Sequence, residues 1–173
     1  MTTLQHQGTG APGVNLETQV IAGLIAAPAH IATSTLAVLE ADDFEHWINQ
    51  EIFSTLSKVS FPDHQEPGSV LIQVSQTLLE AGKYADRDNG LRAAVENLAG
   101  IQGHPEQLAY FVTALIEQRF RRDSEAFGHR VIDHAQASPL QELNQTLATI
   151  QDLRESFQRI PQPPRLEAVG GAA

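Results

Sequence analysis

The sequence predicts an all-α protein, on three observations. Aromatic residues make up only 6% of the chain while leucine, isoleucine, valine and alanine are plentiful, which favours helix packing over a β-sandwich. Apolar residues recur at intervals of three and four in successive blocks, the period of a helix with one buried face. No block alternates apolar and polar residues with the period of two that is typical of a half-buried strand.

Prolines and glycines lie between these blocks and predict where the helices begin and end. The first helix is expected to start with Asn15 as its N-cap and to stop at Pro28. A loop is expected over residues 61–69, and Gly82 is expected to cap the helix that follows it. A long helix is expected from Pro105 to about residue 135.

The last block carries the clearest helix signals of the chain. Ser138, Pro139 and Gln141 form a capping-box start, and one amphipathic helix is expected to reach Ile160. Together with the long helix before it, this helix forms an αα-hairpin. Its apolar stripe consists of Leu140, Leu143, Leu147, Ile150, Leu153 and Phe157. The hairpin either folds back on its own domain or is buried against a second copy; we favour the second, so the stripe is the predicted self-association interface.

At 173 residues and 42% hydrophobic, the chain is long enough to bury a core of its own. The predicted organisation is a flexible tail over residues 1–14, a helical head over 15–104, a long helix and hairpin over 105–160, and a flexible tail over 161–173. That is one domain with an appendage.

Composition excludes several classes of function. A formal net charge of -10 argues against autonomous nucleic-acid binding, which depends on lysine and arginine. The chain has no cysteine, so disulfides and thiolate chemistry are excluded and a reducing compartment is favoured. No lysine or arginine precedes Lys58, and Pro28 interrupts the apolar stretch over 20–39, so neither a signal peptide nor a membrane span is expected. We therefore expect a soluble cytoplasmic protein.

The nucleotide-binding motifs that an ATPase requires are not matched. The one Gly-Lys pair, Gly82 and Lys83, is followed by Tyr84 where a phosphate-binding loop has serine or threonine. The glycine triplet in "GTGAPG" follows no predicted strand and contains a proline. We therefore predict no catalytic residue, no cofactor-binding residue and no cofactor, and do not expect an enzyme.

The segment "EADDFEHWINQEIFSTL" (40–56) places acids and a histidine among apolar residues. The favoured interpretation is that Asp42 or Asp43 caps a helix that Trp47, Ile48, Ile52, Phe53 and Leu56 anchor in the core. The alternative is a small helical metal-dependent enzyme or ligand-binding bundle built around Asp43 and His46, which are three residues apart. A bundle metal site needs similar pairs on several helices, so no metal site is predicted.

A local basic cluster, in "EQRFRRD", contains Arg119, Arg121 and Arg122. Acidic neighbours offset its charge, which favours a solvated, self-paired surface. The alternative is a docking site for an acidic partner.

The order of the blocks resembles the N-terminal domain of the DnaB-type replicative helicase. The similar segments are "NLETQVIAGLI", "EADDFEHWINQEIFSTLSKV" with its Asp-Asp-Phe turn, "VLIQVSQTLLEAGKY" and "LAYFVTALIEQRFRRDSEAFGHRVIDHA". The resemblance covers about residues 15–160. The family's Pro-Ile-Asp turn is replaced here by residues 67–69, and its double-glycine and Tyr-Leu pattern by residues 88–92.

The resemblance implies a six-helix globular head followed by a long antiparallel helical hairpin. It implies that Asp42, Asp43 and Phe44 form the turn into the core helix that contains Ile52 and Phe53. In the family this domain pairs through its hairpins, forms a collar above the motor ring and helps to dock primase. The motor domain is not expected here, so the implied role is a noncatalytic scaffold that forms a homo-oligomer and binds primase or full-length helicase.

Overall fold

A computed structural model describes residues 15–61, 67–84, 90–137 and 139–160. Every regular element in these ranges is helical, which confirms the prediction of an all-α protein for the described residues. The predicted tails (1–14 and 161–173) and the predicted cap Ser138 lie outside them. The α-helices are α1 (Leu16–Ala26), α2 (Ala29–Leu36), α3 (Trp47–Leu56), α4 (Pro67–Glu80), α5 (Leu91–Leu98), α6 (Leu108–Ala137), α7 (Leu140–Ala148) and α8 (Ile150–Gln158).

The chain divides into two compact units, Met1–Phe111 and Val112–Ala173. The first unit contains α1 to α5, two 3-10 turns (Ala41–Asp43 and Pro105–Gln107) and the first residues of α6. The second unit contains the rest of α6 with α7 and α8. The boundary therefore falls inside α6, whereas the sequence predicted it at the start of the long helix.

Helix α1 is the centre of the first unit. It contacts α2, α3, α4 and the second 3-10 turn, and its residues are buried without interruption over 20–25. A helix with neighbours on several sides loses the one-sided pattern of a surface helix. Its start is as predicted, because the Asn15 side chain accepts a hydrogen bond of 3.1 Å from the Glu17 amide. Its end precedes Pro28, also as predicted.

The segment before α6 passes close to the α1 backbone at Gly103. A Cβ placed there would overlap the Ala22 carbonyl oxygen and lie 2.7 Å from the Ala26 Cβ. Only a residue without a side chain permits this distance between the segment before α6 and the α1 backbone.

Helix α4 begins at Pro67, three residues earlier than the predicted loop allows. It ends at Glu80 and is capped as predicted by Gly82, which has φ 69°. The Lys83 amide donates to the Leu78 carbonyl (2.9 Å) and the Gly82 amide donates to the Leu79 carbonyl (3.0 Å), which is the Schellman arrangement. Its buried side chains include Val70, Val74 and Leu78, whereas Leu79, the neighbour of Leu78 in the sequence, is exposed.

In the second unit, α7 and α8 lie antiparallel along α6. The His134 ring nitrogen Nδ1 is 2.6 Å from Thr146 Oγ1, and the Phe120 and Phe157 ring centroids are 5.3 Å apart. Residues late in α6 therefore meet residues early in the returning segment. The expectation of one continuous helix to Ile160 is wrong, because the helix is interrupted at Thr149.

Helix α6 runs through Gly128 without interruption. None of the helices in the described ranges is long and apolar enough to cross a lipid bilayer.

Candidate functional site

The predicted self-association interface lies on α7 and α8 and is open to solvent. Leu140 is 84% exposed, Leu147 46%, Ile150 43% and Phe157 49%, while Leu143 and Leu153 are half-buried. We call these six residues together with the half-buried Ile160 the apolar seam. Large apolar side chains that remain exposed along two consecutive helices are typical of a surface that another protein covers.

The space between α6 and the α7–α8 segment is lined mainly by polar side chains. Two residues of the apolar seam also face it, since Leu153 lines the smaller cleft and Phe157 packs against Phe120 of α6. Two adjoining clefts lie there, of about 420 Å³ and 180 Å³. Arg130, Thr149 and Asp152 line both clefts, and Arg119 and Asp123 line the smaller one. Because the inner face of the hairpin is largely polar, most of the leucines of α7 are left to face outwards.

Thr146 is the only residue of α7 with a buried side chain. Its Oγ1 lies 3.1 Å from the Glu142 carbonyl oxygen, to which it donates, and 2.6 Å from the His134 Nδ1, with which it forms a second hydrogen bond. This bond connects α6 to α7 through two polar groups, at a position where a two-helix hairpin with its own core would have an apolar pair.

The second unit has almost no apolar core beyond the start of α6. Val112, Leu115 and Ile116 are buried, but among the described residues after Ile116 only Thr146 is buried. A helical pair that buries so little apolar surface lacks the main favourable term of folding. The seam is therefore the strongest candidate for an interface in the described part of the chain.

The predicted docking arginines are not equivalent. Arg119 is mostly buried and its Nε donates to Asp123 Oδ2 (3.3 Å), one turn further along α6. Arg122 is half-buried and Arg121 is exposed. Glu125 and His129 follow on the exposed face, 3.8 Å apart. The self-paired part of the prediction thus holds for Arg119, and Arg121 is the exposed member of the group.

The segment 40–56 is built differently from the prediction that Asp42 or Asp43 caps the helix. The N-cap of α3 is His46, whose Nδ1 accepts from the Ile48 amide (3.3 Å). Asp43 is fully buried and caps the preceding 3-10 turn, where it accepts from the Glu40 amide (2.7 Å). Asp42 is exposed.

The apolar residues of this segment divide into two groups. Phe44, Ile52, Phe53 and Leu56 are buried, and the Phe44 and Phe53 rings are 5.1 Å apart. Trp47 was expected in the core but is about half exposed, because it is the first residue of α3 and its ring stacks beside the ring of His46.

Sequence reasoning missed the polar centre of the first unit, Glu17. Its carboxylate is buried and accepts from the Glu45 amide (2.5 Å), the Asn49 side-chain amide (2.5 Å) and the His46 amide (3.4 Å). The donors lie at the start of α3, so the carboxylate joins α1 to that helix terminus and complements its dipole. The only signal in the sequence is an acid in the first turn of a mostly apolar helix.

The metal-dependent alternative has no built site among the described residues. No group of three or more histidine, aspartate or glutamate side chains there is arranged to hold a metal ion. Asp43 and His46 each serve as a cap, as described above.

A further cleft of about 270 Å³ lies between α4 and α5 of the first unit, and the sequence did not predict it. Leu79, Tyr84, Arg92 and Glu96 line it, together with Ser75 and Gln76. Arg92 and Glu96 pair across one helical turn at 2.9 Å.

Comparison of the chain with protein-family models, with curated proteins and with solved structures found no match.

Proposed function

We propose that this chain is a noncatalytic scaffold of DNA replication that resembles the N-terminal domain of the replicative helicase. It self-associates through the apolar seam and docks primase or full-length helicase in the cytoplasm. The observation that carries the proposal is the arrangement of the second unit, where the large apolar residues of α7 and α8 are exposed or half-buried while a buried threonine and charged groups line most of the hairpin's interior. A helical unit of this kind is completed by another copy.

The order of the elements adds support for the replication role. A helical unit built around α1 is followed by a long helix and an antiparallel return. This order supports the proposal, because the resemblance implies a helical head followed by a hairpin; the first unit holds five complete α-helices where the resemblance implies six. The net charge of -10 fits a protein that contacts other proteins better than one that holds a phosphate backbone.

The self-association is tested by light scattering of the chain and of Leu147→Glu. Burying an apolar leucine stabilises an interface by about 1.5–3 kcal/mol, and the substitution acts twice in a symmetric dimer. We therefore expect the dissociation constant of the dimer to rise by roughly 100-fold or more. Leu79→Glu, an equally drastic change at an exposed leucine of α4, should leave the mass unchanged. An unchanged mass for Leu147→Glu would remove the seam from the interface.

The replication role needs a separate test, with purified primase and purified replicative helicase from the same cell. The proposal predicts that the chain co-elutes with at least one of them in gel filtration. Failure to bind either protein would refute the docking role without affecting the self-association.

A further inference from the structure

The apolar seam is symmetric in sequence about Ile150. Counting outwards in both directions, seam residues follow at three positions (Leu147 and Leu153), at seven (Leu143 and Phe157) and at ten (Leu140 and Ile160). A regular heptad alternates steps of three and four. Here two steps of three meet at Ile150, so the irregularity lies at the centre of the symmetric pattern.

The backbone carries the same irregularity. Next to Ile150, the Thr149 amide donates to the Thr146 carbonyl and the Asp152 amide donates to the Thr149 carbonyl, each at 3.1 Å. Bonds between residues three apart are those of a 3-10 helix, which has about 3.0 residues per turn. In such a turn, residues spaced by three lie on one face. Leu147, Ile150 and Leu153 therefore stay in line where α7 passes into α8.

We infer that a second copy of this chain covers the seam in antiparallel orientation, with a two-fold axis beside Ile150. This rests on the proposed self-association and specifies its geometry. The axis places Ile150 on Ile150 of the second copy and Leu147 on its Leu153. Any other antiparallel register would set the tightened turn of one copy against the regular helix of the other, and the apolar layers would no longer coincide.

The symmetric spacing favours the antiparallel arrangement over a parallel one in the same register. In a parallel pair each seam residue meets its own equivalent whatever the spacing, so the symmetry about Ile150 would have no role. Only the two-fold axis uses it, because each seam residue then lies opposite the seam residue at the mirrored position of the second copy.

The test is site-directed crosslinking, for which the chain offers a clean background because it has no cysteine. Ile150→Cys and Leu140→Cys are each treated with a short bismaleimide reagent, and an equimolar mixture of Leu140→Cys with Ile160→Cys is treated in the same way. The predicted axis places the two thiols of Ile150→Cys side by side, since packed helices lie about 8–10 Å apart. It separates the two thiols of Leu140→Cys by about 30 Å, twenty residues at 1.5 Å each.

The expected result is a crosslinked dimer for Ile150→Cys and for the mixture, and none for Leu140→Cys alone. Crosslinking of Leu140→Cys to itself would show a parallel pair and overturn the inference. A dimer by light scattering in which none of the three samples crosslinks would place the interface outside the apolar seam. The inferred axis would then fail, and the chain would self-associate through another surface. A single-chain mass for the unmodified protein would remove both.

Discussion

Replacement of Glu17 tests how the first unit is held together. In Glu17→Ala the Glu45 amide and the Asn49 side chain lose a buried charged acceptor, and the third bond, to His46, is long enough at 3.4 Å to count for little. A hydrogen bond to a charged group contributes about 1.5–3 kcal/mol. Since Asn49 is half-exposed and can turn towards water, we expect a loss of about 2–4 kcal/mol in the free energy of unfolding.

Glu17→Gln separates the acceptor from the packing. Glutamine keeps the shape and one carbonyl for the Glu45 amide, and Asn49 can reverse its amide to accept from the new NH2 group. We therefore expect a smaller loss, about 1–1.5 kcal/mol for one weakened charged bond. The free energy of unfolding is thus predicted to increase from Glu17→Ala to Glu17→Gln to the unmodified chain, because the number of donors that keep a partner increases in that order.

The assay is urea unfolding followed by tryptophan fluorescence. Trp47 is the single tryptophan of the chain and starts the helix that Glu17 contacts, so its signal reports this unit. The exposed Glu125→Gln is the matched control and should change stability by less than about 0.5 kcal/mol. If Glu17→Ala is no more destabilising than this control, the carboxylate does not hold α1 to α3 and the reasoning is refuted.

Three further predictions concern the backbone and one titrating group. Gly103→Ala should cost about 3 kcal/mol or more by urea unfolding, because its Cβ would overlap a backbone carbonyl that no rotamer change can move; a neutral result would contradict the close approach. Gly82→Ala should cost about 1 kcal/mol through its positive φ, whereas Gly128→Ala, in open space within α6, should gain about 0.5–1 kcal/mol; equal effects would contradict this. The pKa of Glu106 is lowered, first by a backbone hydrogen bond and then by the His104 side chain at 3.1 Å. The ionised carboxylate therefore contributes stability that is present above the usual glutamate pKa and is lost as pH falls through the lowered value. His104→Ala should raise the pKa of Glu106 part of the way back in a carbon-13 NMR titration, and an unchanged pKa would contradict the contact.

The sequence predicted those features of the fold that depend on interactions between residues close together in the chain. The Asn15 cap and the Gly82 stop follow from single hydrogen bonds and one backbone angle close to each residue. The Glu45 amide that donates to the Glu17 carboxylate lies 28 residues further along the chain, and no periodicity within α1 could specify this contact. The same holds for Leu79, which lies next to the buried Leu78 in sequence but on the side of α4 that borders a cleft.

The candidate site was predicted in part, and one missed feature had a signal. The apolar spacing of residues 140–157 identified the seam, but not that Thr146 would be the buried residue of α7, since that depends on His134 across the hairpin. The interruption at Thr149 could have been found from the sequence. Two successive steps of three, from Leu147 to Ile150 and on to Leu153, do not fit a continuous helix of 3.6 residues per turn and do fit a tightened turn.

Sedimentation equilibrium of the unmodified chain, over a hundredfold range of concentration, tests the central claim most directly. The claim is that the apolar face of α7 and α8 is completed by a second copy. It predicts a mass of two chains, or a multiple of two, that falls towards one chain only on dilution. The mass of a single chain at every concentration would contradict it.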